Sequence, residues 1–296
     1  MASDRLDEKG GHAVKLIGLM PVRNEAWCLG LTLRVALQWC DEVMVLLHNC
    51  TDSSQQIAHE LSIATRGRTG YTIMDDPQWN EMQHRDRLLL WARGHDATHI
   101  AIIDADEFLT ANLLPMIRDA VELLAPGALL ELPGYNLRNG TGQFHGNGVW
   151  GNRWFATAFL DTPALHWAGD RFHHREPMGC GWNRYRPIHQ GDGGTLHLWG
   201  ASERRLRAKH ALYRITERLR WPYKSAQEVE KLYSLATNPT VPWSFNQVRG
   251  RAWIEPYADL MRYLDIDAEP WQEAEVARLL AEHGRGRFAG LDLLGY

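Results

Sequence analysis

Two carboxylates, Asp104 and Asp106, stand either side of Ala105 directly after the apolar run Ile100-Ala101-Ile102-Ile103. On extended backbone, positions i and i+2 face the same side. A pair of hard oxygen ligands fixed at a strand end suits Mg²⁺ or Mn²⁺, with a diphosphate and water completing the shell. A metal held there would neutralise the charge growing on a departing nucleotide diphosphate. The plain alternative is a loop of solvated acids, and a D-x-D triplet alone does not separate the two. Its position after a buried strand favours the metal.

Other elements must hold that strand in place. Val14 to Met20, Val43 to Leu47, Tyr71 to Met74, His99 to Asp104 and Ala128 to Leu132 are short apolar runs that predict buried strands. Helical patterns fall between them. One runs from Asn24, a natural N-cap, to about Cys40, one starts at Thr51-Asp52-Ser53, one covers Asn80 to Arg93, and one is carried by Leu113, Leu114, Ile117, Val121 and Leu124. This alternation predicts an α/β fold, with a Rossmann-like, mostly parallel central sheet flanked by helices. Ligands of such sheets bind beyond the carboxyl ends of the strands. Residues 21–25, 48–52, 75–79 and 104–107 are therefore expected along one edge. From 134 to 200 the chain is rich in Gly, Trp, His and Arg and reads as loops and short strands; from 201 onward it is mostly helical.

Composition sets outer bounds. The 296 residues are 45% apolar and 23% charged, which allows a sizeable core and argues against wholesale disorder. A net charge of -4 gives no general reason for a nucleic-acid or anionic-membrane partner. Cys28, Cys40, Cys50 and Cys180 form no C-x-x-C pair, so a zinc ribbon or disulfide scaffold is not indicated and a reducing compartment is the simpler expectation. The polar start is unlike a signal peptide and no run approaches the roughly 18 apolar residues of a membrane span, so a cytoplasmic location is expected. Thirteen tryptophans, many between Trp150 and Trp271, suit sugar faces, bases or a core equally.

Four segments in order carry a family resemblance: Met20-Pro21-Val22-Arg23-Asn24-Glu25, Asn49-Cys50-Thr51-Asp52-Ser53, Trp79-Asn80-Glu81 with Arg85, and Ile103-Asp104-Ala105-Asp106-Glu107-Phe108. Over residues 14 to 135 the chain resembles the family-2-type glycosyltransferases of the GT-A fold, especially their compact bacterial and phage branch. The resemblance implies a nucleotide diphospho-sugar donor, UDP-linked, and Mn²⁺ or Mg²⁺. It implies that Pro21, Arg23, Glu25 and Asn49 line the base and ribose, with Asn24, Asp52, Arg85 and Ala105 in the same donor site. Asp104 would face ribose and metal, and Asp106 would chelate the metal. Asn49 departs from the family, where many relatives have Asp. Asn24 and Asp52 also read as helix caps, and amides at a helix start suit a phosphate.

The same resemblance implies a distal histidine ligand, His197 in Thr195-Leu196-His197-Leu198-Trp199-Gly200, and an inverting mechanism with one acid as base. Asp170, Glu176 and Asp192 occupy the right stretch, and no one of them is singled out. The implied division is a flexible N-terminus over 1–13, a nucleotide-sugar-binding half over 14–135, an acceptor-binding, catalytic half over 136–200 and a helical extension over 201–296. Glycine-rich loops around Asn139 to Gly151 are candidates to close over the donor. Residues 203–224 carry eight Lys or Arg against two Glu, an amphipathic basic helix that reads first as a solvated face and second as a contact for diphosphate, anionic membrane or polynucleotide. The acceptor would be a glycan, a small molecule or a hydroxymethylated base in DNA. Two other classes compete: a metal-dependent hydrolase or nucleotidyltransferase, which needs more converging acids, and a non-catalytic carbohydrate- or nucleic-acid-binding module, which has no use for the carboxylate pair.

Overall fold

The computed structural model describes residues 14–76, 78–181, 183–238 and 240–296. The expectation for residues 1–13 falls outside that range. Eleven strands and eight α-helices follow in order among the described residues. They are β1 (Leu16–Val22), α1 (Ala26–Ala36), β2 (Glu42–His48), α2 (Ser54–Ala64), β3 (Thr69–Met74), α3 (Glu81–Gly94), β4 (His99–Ile102), β5 (Glu107–Leu109), α4 (Leu114–Glu122), β6 (Leu129–Arg138), β7 (Gln143–His145), β8 (Arg153–Leu160), β9 (Arg184–Tyr185), β10 (Thr195–Gly200), α5 (Glu203–Arg220), α6 (Ala226–Thr237), β11 (Phe245–Gln247), α7 (Gly250–Trp253) and α8 (Trp271–His283).

The chain divides into two compact units, neither continuous in sequence. The first comprises the described part of Met1–Gly134 with Trp154–Leu196 and Gly250–Leu264; the second comprises Tyr135–Arg153, His197–Arg249 and Asp265–Tyr296.

In the first unit the strand order is β8-β4-β1-β2-β3. β1 is parallel to β2 and β4, β2 is parallel to β3, and β8 joins antiparallel to β4. This is the mostly parallel α/β sheet that the sequence predicts. Every residue of β1 and β4 is buried, because helices cover both faces and alternate side chains feed two separate cores. On one face Leu16, Met20, Val43 and Val45 pack with Leu29 and Leu33 of α1, Leu61 of α2 and Ile117 and Val121 of α4. On the other, Ile17, Leu19, Met44, Leu46, Ile100 and Ile102 pack with Leu88, Leu89 and Ala92 of α3. Each such fully buried aliphatic side chain contributes about 1.5–3 kcal/mol.

In the second unit α5 packs between α6 and α8. Ala211, Leu212 and Ile215 of α5 meet Val276 and Leu279 of α8 and Phe288. Part of the positive charge of α5 has partners in its own unit, while Arg204 and Arg207 remain on an exposed face. Arg214 is fully buried and bonds Glu230 at 2.9 Å. Arg204 grips Glu273, Arg205 and Arg207 donate to the carbonyls of Ala268 and Leu294, and Lys224 pairs with Glu217. The glycine-rich stretch 139–151 is likewise tied within this unit. β7 pairs antiparallel with β11, and the Asn147 side chain bonds the backbone of Pro242 and Ser244. Gly148 lies at φ +65°, and a Cβ there would stand 2.3 Å from the Trp243 ring.

Candidate active site

Four parallel strands place their carboxyl ends at one edge of the first unit, so the loops after β1, β2, β3 and β4 meet there. The loops after β1 and β2 are stapled to each other. Asn24, at φ +54°, is not the cap of its own helix; α1 begins at Ala26 and its N-cap, Glu25, makes no side-chain cap bond. Instead Asp52 Oδ2 accepts the Ala26 amide at 2.9 Å, and Asn24 Oδ1 accepts the Thr51 and Asp52 amides at 2.6 and 3.3 Å. Each residue reaches across to the other's loop. Asp52 serves both helices, since its Oδ1 also accepts the amide of Ser54, the first residue of α2, at 2.9 Å; Asn24 holds the loop just before α2 and caps neither helix. Their carboxamide and carboxylate oxygens therefore organise the edge.

Pro21 lies buried within β1, beside Leu46 of β2. Glu25 Oε2 accepts the Trp27 indole N–H at 2.5 Å. Asn49, at φ +45°, donates from Nδ2 to the Asp76 carbonyl at 2.5 Å. The same carbonyl lies 2.8 Å from His48 Nε2, so Nε2 carries the proton. Beside it stand His84 and Trp79, with ring centroids 4.7 and 5.3 Å from the His48 ring. Burial and then the Arg23 charge lower the His48 pKa, and burial pushes His84 down to about 3. Both imidazoles are neutral.

The carboxylate motif sits just past β4, in the turn between Ile102 and Glu107. Helix α1 holds the Ala105 carbonyl, which accepts Thr32 Oγ1 at 2.8 Å and Cys28 Sγ at 3.4 Å. Asp104 is clamped from two sides. Arg85 Nη2 donates to Oδ1 at 2.6 Å, and Arg175 Nη1 donates to Oδ2 at 3.0 Å. Burial raises the Asp104 pKa, but Arg85, then Arg175, overcome it and hold the carboxyl at about 2 against the opposing charge of Asp106. Arg85 is itself buried and fixed through Glu81, whose Oε1 accepts Nε and Nη2 at 3.1 and 3.0 Å. Asp106 and Glu107 are both buried, and Glu107 Oε2 accepts Arg175 Nη1 at 2.5 Å.

This donor set fits a hard divalent cation in one limited way. Among the described residues no three His, Cys, Asp or Glu side chains form a ready ligand cluster. Both oxygens of Asp104 already accept guanidinium hydrogens, and Asp106 is the motif's other acid, buried beside it. A cation here would draw the greater part of its shell from a diphosphate and water, as Mg²⁺ and Mn²⁺ do.

The expected base candidates lie in the same unit with different surroundings. Glu176 pairs with Arg184 at 2.7 Å. Asp192 is exposed, and its carbonyl accepts Asn112 Nδ2 at 2.7 Å. Asp170 is exposed. His197 belongs to the second unit. Its Nδ1 lies 2.9 Å from Asn136 Oδ1, and Asn136 Nδ2 donates to the Trp150 carbonyl at 2.9 Å, which fixes the amide orientation. Nδ1 of His197 thus donates to Asn136 Oδ1.

Arg175, Thr32 and Cys28 were not expected at the motif. Arg175 is 71 residues from Asp104, and one sequence contains no signal that joins two positions so far apart.

No family model matches the chain, and no curated protein matches it. Several solved structures are distantly similar. A fragment of S. aureus TarS (residues 1–349) is 16% identical over 42% of this chain and 37% of its own, with a TM-score of 0.36. The mannosyltransferase PcManGT from Pyrobaculum calidifontis, in complex with GDP-Man and Mn²⁺, is 12% identical over 95% of this chain and 77% of its own, at 0.39. Glucosyl-3-phosphoglycerate synthase from Mycobacterium tuberculosis, in complex with Mn²⁺, UDP and its product, is 14% identical over 42% of this chain and 44% of its own, at 0.28. This chain thus spans less than two thirds of the TarS fragment and of the synthase. Likenesses this distant define neither fold nor activity, and the α/β assignment rests on the sheet itself.

Proposed function

We propose that the chain is a metal-dependent, GT-A-type glycosyltransferase. It moves a sugar, with inversion, from a nucleotide diphospho-sugar, UDP-linked, to an acceptor hydroxyl. The observation that carries this reading is the carboxylate motif past β4, its first acid clamped by Arg85 and Arg175, at the edge where the stapled loops after β1 and β2 also end. A sheet edge of this kind suits a nucleotide.

In this reading Pro21, Arg23, Glu25 and Asn49 face the nucleoside, and Asp106 meets Mn²⁺ or Mg²⁺. The ion, when bound, neutralises charge on the leaving diphosphate. Arg85 and Arg175 keep Asp104 ionised and in one rotamer. One of Glu176, Asp192 and Asp170 takes the proton of the acceptor hydroxyl. Glu176 is the first to test, because it follows Arg175 in the chain. The hydrolase and nucleotidyltransferase reading is less well supported, since two metals need several converging acids and Asp104 is committed to guanidinium groups. The DNA-acceptor reading is less well supported, since Arg214 of α5 is buried against Glu230 and Arg204 is engaged by Glu273.

The test is a panel of nucleotide sugars with Mn²⁺, comparing wild type with Asp106→Ala. Metal-dependent release of one nucleoside diphosphate is expected, falling about 100-fold or more in the variant, as when a charge-stabilising group is removed. If no nucleotide sugar binds, with metal or without, the carbohydrate-binding-module reading replaces this one.

A further inference from the structure

Arg175 makes more bonds than any other side chain at the motif. Nη1 reaches Asp104 Oδ2 at 3.0 Å and Glu107 Oε2 at 2.5 Å, Nη2 reaches the Ile102 carbonyl at 2.6 Å, and Nε reaches the Ala156 carbonyl at 2.6 Å. One planar guanidinium thus joins the last residue of β4, the first acid of the motif, the first residue of β5 and the middle of β8. Its own carbonyl accepts the Trp167 indole N–H at 3.3 Å.

The segment that carries Arg175, residues 161–179, has little regular structure. Glu176 pairs with Arg184 of β9, and several further anchors lie along α3. Arg93 grips the Asp161 carboxylate at 2.7 and 2.8 Å and the carbonyls of Thr162 and Leu165 at 2.8 Å. Asp86 accepts the Trp167 amide at 3.0 Å, and Glu81 accepts the His173 amide at 2.9 Å. These α3 contacts order the segment without touching Asp104 or Glu107. Arg175 is the segment's direct contact with Asp104 and Glu107; the His173 amide reaches Asp104 only indirectly, through Glu81 and Arg85.

We propose that Arg175 is a positioning residue that couples the metal-and-donor side of the site to the segment bearing Asp170 and Glu176. Any ligand that fixes the motif also fixes Asp104 and Glu107, and both hold Arg175. Ordering at the motif therefore reaches the segment through the two Nη1 bonds to Asp104 and Glu107, with the guanidinium held in one plane by its bonds to the Ile102 and Ala156 carbonyls. Lysine cannot reproduce a planar fork, so Arg175→Lys keeps the charge and loses most of the tie. The proposal rests on the glycosyltransferase reading for the identity of the ligand, but not for the tie itself.

Chymotryptic cleavage at Trp167 and Phe172, which reports local opening of the segment, is the test. It is run on the full chain with and without Mn²⁺ plus UDP, while free Mn²⁺ is followed by its paramagnetic resonance. In wild type, Mn²⁺ plus UDP should slow cleavage. Arg93→Ala should be cleaved faster but still be slowed by the ligand. Arg175→Gln should be cleaved at least five-fold faster than wild type, still take up Mn²⁺ with UDP, and no longer respond to it; Arg175→Lys should recover part of the response. An unchanged basal rate in Arg175→Gln, or full ligand protection in that variant, would overturn the proposal. If wild type takes up no Mn²⁺ with UDP or GDP, the donor reading fails, and the basal rates still decide whether Arg175 ties the segment.

Discussion

Asp104 is a carboxylate whose charge is fixed by its neighbours. Two guanidinium groups favour the ionised form more than burial opposes it, and the folded pKa falls to about 2. A pKa depressed on folding adds stability above the ordinary carboxylate value, and that stability is lost as pH falls through the folded value. Asp104→Asn should therefore lower the melting temperature at pH 7, and the gap from wild type should close as the pH is taken from 4 towards 2. Parallel melting curves over that range would mean that the two arginines do not stabilise the charge. The variant also leaves Arg85, which is buried, facing a neutral amide, so the loss at pH 7 should exceed that of an exposed ion pair, about 0.2–1 kcal/mol.

At the scale of elements, the edge of the sheet is built by capping that crosses between loops. The first turn of α1 takes its acceptor from Asp52, 26 residues away, and the start of α2 is organised by Asn24. Asp52→Ala should cost about 1 kcal/mol, the usual value of a lost N-cap, read as a lower urea midpoint with an unchanged slope. It should also weaken nucleotide binding if the two loops form the donor site. Because apolar runs of strand length and helical periodicity reflect burial directly, the strands and helices of the first half were legible in the sequence to within a few residues, except that β4 stops at Ile102 before the motif and β6 runs on to Arg138. The partners of the caps were not. Both residue types announce a cap, and Asp52 does cap its own α2, but that it also reaches α1, and that Asn24 instead holds the loop before α2, depends on the parallel pairing of β1 with β2.

For the molecule as a whole, buried neutral histidines set the response to acid. His48, His84 and His99 in the first unit and His145 in the second are almost inaccessible, and burial lowers the pKa of each, to about 3 for His84 and about 4 for His145. Below an unfolded value near 6.5 the unfolded chain takes up protons that the folded chain refuses, so stability declines as pH falls from 6.5 towards 4. His84 alone would account for roughly 2 kcal/mol at pH 5, an upper figure from its displaced pKa. His84→Leu should flatten the pH dependence of the melting temperature between 6.5 and 4. An unaltered slope would show that His84 does not refuse its proton.

The sequence by itself determined the α/β class, the edge where four strand ends meet and the carboxylate motif on it, because each is written in local apolar periodicity and in residues adjacent along the chain. Only the tertiary structure decided what surrounds that motif. Arg175 approaches from 71 residues away, and Thr32 and Cys28 hold the Ala105 carbonyl from α1. Within the second unit, likewise, Arg214 of α5 is buried onto Glu230. Guanidinium groups and carboxylates have no periodicity that marks their partners. Their pairing follows from where the packed strands and helices bring them, and burial then makes leaving either partner alone costly.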